Sequence, residues 1–180
     1  MSPREFYLAV EKALQPACDR LALKRDKGPV TRWALELGSG FLYYEIALHP
    51  IFHFQPGLGG EFVVGIDVIP TVDPKKRSAE TAIPYLKFAE DADLAALKVC
   101  RDVVLHKLLS QTSFPDAFTS IVAEDNEFHW ELELQEPFRK NRTGGLPYLD
   151  AADVTAWSKV LGRLLAKSVQ AIQKSSKSSL

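Results

Sequence analysis

The chain has 180 residues, with 22 Lys and Arg against 23 Asp and Glu, 46% apolar and 25% charged. A compact chain of this size buries roughly 70% of the surface its unfolded form exposes, enough for one hydrophobic core, and the soft prior is a single domain. The composition excludes disordered, collagen-like and low-complexity classes. Its near-neutral charge argues against a dedicated nucleic-acid binder.

The longest stretch free of formal charge, Ile46 to Gly60, is too short to span a bilayer and is broken by Pro50 and Pro56, so no membrane association is expected. The first residues carry only Phe6 to Val10 as an apolar run, below the core of a signal peptide, which points to a cytoplasmic location. Cys18 and Cys100 are far apart, with no CxxC, and read as two buried thiols. No disulfide framework or zinc site is suggested.

Ser2-Pro3-Arg4-Glu5 has the form of a capping box. Phe6, Val10, Ala13, Leu14, Ala17 and Leu21 then recur at helical spacing, up to a stop at Lys24 to Pro29. After Pro29 the period becomes two. Trp33, Leu35 and Leu37, followed by Leu42, Tyr44, Ile46 and Leu48, form a hairpin. A Ser39-Gly40 turn would pair Leu37 with Leu42, Leu35 with Tyr44 and Trp33 with Ile46, placing every large apolar side chain on one face. Residues 49–60 read as a long aromatic loop, in which Ile51, Phe52, Phe54 and Leu58 either tuck under the sheet or stay exposed.

Glu61 to Ile69 alternates again, as a third strand ended by Pro70, and Thr71 to Asp91 shows no period. A helix from Asp91 or Asp93 carries Leu94, Leu97, Cys100, Val104 and Leu108, a stripe widened by Val99 and Val103. A second hairpin spans Phe118 to Leu134, and Pro137 to Pro147 is loop. Asp150-x-x-Asp153 opens a last helix with Val154, Trp157, Leu161 and Ile172 inward. Residues 1–174 form one α+β domain and 175–180 a frayed C-terminal tail.

The order α-β-β-β-α-β-β-α implies a mainly antiparallel sheet covered on one face by helices. In that order alone the chain is similar to the class I type III secretion chaperones, with no sequence motif in common. Fold-level analogy does not carry function.

Alternation puts Glu36, Glu45, Glu61, Asp67, Glu127, Glu131 and Glu133 with His129 on the polar sheet face, against Arg32 as its only basic residue. Clustered like charges repel, by a few tenths of a kcal/mol or more per close pair, so such a face suits a basic protein partner. A solvated face that discourages edge pairing accounts for the same pattern. The expected function is a non-catalytic module, immunity-protein-like or chaperone-like, binding through Glu36, Glu45, Asp67, His129, Glu131 and Glu133. The alternative is binding or turnover of a phosphorylated small molecule at Arg139, Lys140, Arg142 and Gly144, where cations and glycine N–H groups could grip a phosphate. His49 and His53 lack a third ligand nearby, so no metal and no cofactor is expected. No nucleophile motif stands out, and a homodimer stays open.

Overall fold

In the computed structural model, which describes residues 1–26, 31–38, 40–48, 54, 59–70, 82–110 and 145–177, Ser2 caps α1 (Pro3–Arg20) as its sequence predicts. The Ser2 backbone N–H donates to Glu5 Oε2 at 2.6 Å and the Glu5 N–H to Ser2 Oγ at 3.3 Å. Phe6, Val10, Leu14, Ala17 and Cys18 form the buried face. The helix ends before the expected stop at Lys24. Leu23 N–H donates to Cys18 O at 2.9 Å and Ala22 N–H to Asp19 O at 3.1 Å, a Schellman turn around Ala22 at φ 58°.

The early stop frees β1 (Lys24–Arg25), a strand too short for any alternation to predict, to pair antiparallel with β2 (Thr31–Leu37). β3 (Gly40–Leu48) follows, but its register differs from the expected one by two residues. Leu37 faces Gly40, Leu35 faces Leu42, Trp33 faces Tyr44 and Thr31 faces Ile46. β2 ends at Leu37 and β3 begins at Gly40, so Gly40 belongs to the strand and not to the turn. A shift of two keeps every side chain on its face, so alternation alone cannot distinguish the two registers.

β4 (Gly60–Pro70) pairs with the whole of β3 through Phe62 to Pro70. Its far edge takes β6 (Leu146–Tyr148) beside Gly60 to Phe62 and β5 (Ala82–Ile83) beside Ile66 and Asp67. β6 lies within what reads from sequence as loop, and β5 within the stretch without a period. All these pairings are antiparallel, so the α+β architecture holds. Gly59, at φ +75°, lies so close to β6 that a Cβ there would overlap the Tyr148 carbonyl oxygen. The hairpin at 118–134 lies outside the described residues.

The inward sheet face, with Trp33, Leu35, Leu42, Tyr44, Ile46, Phe62 and Ile66, shares one core with the helices. Phe6 stands 5.4 Å from Phe62 and 5.1 Å from Tyr148, and Phe62 meets Trp157 edge-on at 6.5 Å. Phe54, half-buried, stacks on Tyr148 at 6.0 Å, so this part of the aromatic loop tucks against the core. Each such fully buried side chain contributes about 1.5–3 kcal/mol.

Among the described residues α2 (Asp91–Leu109) and α3 (Ala151–Lys177) join α1 in the helical layer, with α3 packed against both α1 and α2. A Cβ at Gly162 would stand 3.3 Å from Ala17 Cβ, so the glycine lets α1 and α3 approach closely. α3 keeps its helical backbone to Lys177, past Lys174, where its Ser- and Lys-rich composition predicts fraying. In α2, Val99 and Val103 do not widen the buried stripe, being 61% and 48% exposed. Among the described residues no helix is long and apolar enough to cross a membrane.

Candidate functional site

Paired residues on neighbouring strands share a face, so the two registers that join β2, β3 and β4 fix the outer sheet face row by row. One row reads Glu36, Phe41, Ile69; the next Ala34, Tyr43, Asp67; the third Arg32, Glu45, Gly65; the fourth Ala47, Val63. Glu36, Asp67 and Glu45 therefore share a face, each in a different row and on a different strand. None is the direct cross-strand partner of another, and the like-charge repulsion expected from the sequence is diluted by the residues between them.

Tyr43 stands at the centre of this arrangement. Asp67 is beside it across the β3–β4 ladder, Glu45 lies two residues along its own strand, and Glu36 is diagonal across the β2–β3 ladder. Its ring centroid is 6.1 Å from that of Phe41, at a tilted angle of 32°. Both rings are half-buried, as is Asp67, while Glu36 is exposed. Ile69 beside Phe41 is buried. The face is therefore aromatic at its centre and acidic around it.

Arg32 is the cation of this face. Its guanidinium lies 5.0 Å over the Tyr43 ring, donates from Nε to Asp26 Oδ2 at 2.6 Å and comes within 4.0 Å of Glu45 Oε2. This internal contact pairs a guanidinium with a ring face and carboxylates at once. Lys24, opposite Ala34, adds a second basic residue at the β1 edge, missed because the sequence places it in a helix stop. Phe41 and Tyr43 were also missed as site residues, although their alternation with Leu42 and Tyr44 was visible.

His129, Glu131 and Glu133 lie outside the described residues, as do Arg139, Lys140, Arg142 and Gly144. His49 and His53 do too. Among the described residues no group of three or more His, Cys, Asp and Glu is placed to hold a metal ion. Both cysteines are free, but only Cys18 is fully buried; Cys100, expected in the core, is half-buried. Burial, with the nearby Asp19 charge, pushes the Cys18 thiol up to about 12, and burial also raises Cys100. Thiols so raised stay protonated near neutral pH and are poor nucleophiles.

No protein-family model, curated protein or solved structure matches this chain.

Proposed function

We propose that the chain is a non-catalytic protein-binding module whose outer sheet face holds a basic segment of a partner protein. One observation carries the reading: Tyr43, beside Phe41, is ringed by Glu36, Glu45 and Asp67 on the successive rows of one face. A lysine or arginine side chain can lay its charge on an aromatic face while a carboxylate balances it. Arg32 makes that pairing within the chain itself. A partner cation would share the Tyr43 and Phe41 surface with Arg32; the same chemistry fits an immunity-type or a chaperone-type module, and it requires no reaction.

Affinity capture with the tagged chain tests this at about 0.1 M and about 0.5 M salt, between which the screening length shortens from about 10 Å to under half that. A basic partner captured at low salt, released at high salt and lost by Glu36→Lys with Asp67→Lys is the expected result. Unchanged circular dichroism and melting of the double variant show that the loss lies in the surface. Capture that ignores both salt and the charge reversal, or no capture at either salt, would overturn the reading.

A further inference from the structure

We infer that α2 is a strap held to the rest of the fold by two charge latches, and that the charges on Lys107 and Lys167 set how readily it lifts. Five of its nineteen residues are buried, on the single narrow line Asp93, Leu97, Arg101, Val104, Leu108, and two of those five are charged. Val99, Val103 and Leu109 are 61%, 48% and 49% exposed. Leu94, Ala96 and Cys100 pack half-buried beside that line, so the helix gains from burial but less than α3 does, and an element of low apolar burial opens below the free energy of global unfolding.

Its two ends are fastened reciprocally. Lys167, on α3, donates to Glu90 Oε2 at 2.7 Å and Asp93 Oδ2 at 2.5 Å, at the start of α2. Lys107, in the last turn of α2, donates to Asp150 Oδ2 at 3.0 Å and Asp153 Oδ1 at 2.5 Å, at the start of α3. In both helices the lysine follows the inner aspartate by fourteen residues, about 21 Å of helix, so the antiparallel pair meets twice at matching spacing.

Each latch joins a buried acid to a reachable base. Asp93 and Asp153 are 4% and 3% exposed, while the Lys107 and Lys167 side chains keep about a third of their surface in solvent. Removing the lysine charge strips a buried carboxylate of the cation hydrogen-bonded to it, which costs more than losing an exposed pair. The balance then tips toward lifting α2. Once lifted, Leu97, Val104 and Leu108 join Val99 and Val103 in solvent, and the helix offers apolar surface on two sides.

Hydrogen exchange followed by mass spectrometry on the full chain tests this directly. In the native protein the α2 amides should exchange faster than those of β2–β4 and α3, and faster again as salt is raised. Lys107→Gln with Lys167→Gln should speed α2 exchange by about tenfold to hundredfold while leaving α1 and β2–β4 unchanged. Arg at both positions should restore slow exchange. If α2 exchanges together with the central strands, or if the Gln variants speed every element alike, α2 is an integral part of the core and the inference fails. Should the double Gln variant not fold, the salt series on the native chain and Lys167→Gln alone read out the same comparison.

Discussion

α2 and α3 begin with the same code and end in different environments. Each opens with an acid at the cap and another three residues on, and in each the inner acid accepts from backbone N–H groups at the helix start: Glu90 N–H to Asp93 Oδ2 at 3.1 Å, Leu149 N–H to Asp153 Oδ2 at 2.9 Å. Yet α3 buries Val154, Trp157, Leu161, Leu164, Leu165 and Val169, while the apolar part of α2's seam is Leu97, Val104 and Leu108. α3 touches α1 and α2, and Trp157 donates from Nε1 to Pro147 O at 2.7 Å in β6. Depth of burial follows from position in the layer, which a helix's own sequence does not encode.

The sharpest contrast comes from two leucines that are equally buried. Leu161→Ala in α3 should lower global stability by about 3–5 kcal/mol in urea unfolding, as a core Leu truncation that leaves a cavity does. Leu97→Ala in α2 should lower it by less, because damage to a strap that opens separately cannot exceed the free energy of opening it. Equal losses at the two positions would break the comparison and make α2 part of the global unit.

Acid should separate the helices as well. Burial pushes the Asp93 carboxyl up, but the Lys167 hydrogen bond, the Glu90 backbone N–H and the charges of Lys167 and Arg163 outweigh it and hold it below its usual value. Asp150 is likewise lowered on balance, with Lys107 and backbone N–H groups outweighing burial. A carboxyl depressed in the folded state contributes stability that is present above its unfolded value, near 3.8, and is lost as pH falls through the folded one. Lys107, raised chiefly by its hydrogen bond to Asp153, contributes on the opposite limb, and that contribution is lost only above pH 10.5. The protection of α2 amides, taken relative to the intrinsic exchange rate at each pH, should therefore stay flat across the neutral range and fall below about pH 4, before that of β2–β4 responds. A fall that begins near pH 6 would point to a different group.

Much of this was readable before any coordinates. The capping box at Ser2 and the acid pair at Asp150 are local chemistry, complete within four residues, and both helices start where that chemistry says. The face assignment of Trp33, Leu35, Leu42 and Tyr44 needed only the period of two. The register did not follow from it, since Leu35 opposite Leu42 and Leu35 opposite Tyr44 are equally consistent with one buried face. β6 was hidden for another reason. Leu146, Pro147 and Tyr148 are too few to show a period, and their pairing with Gly60 to Phe62 spans more than eighty residues of chain. The carboxylates of the outer face were legible singly, but their separation by Phe41 and Tyr43 is a product of two registers together.

The smallest effect tests the outer side of α2. Val99→Gln with Val103→Gln should change global stability by no more than about 0.5 kcal/mol, because both side chains keep about half or more of their surface in water and Gln is at least as good a helix former as Val. The same substitution at Val154 in α3 would bury an amide in the core and cost several times more, since a polar group without a partner there forfeits its hydration. A loss above about 1 kcal/mol from the α2 pair, read from urea midpoints, would mean that Val99 and Val103 are covered in solution. Dilution then separates the two ways of covering them: a melting temperature that falls with protein concentration identifies a second copy of the chain, and one that does not identifies a contact within the chain.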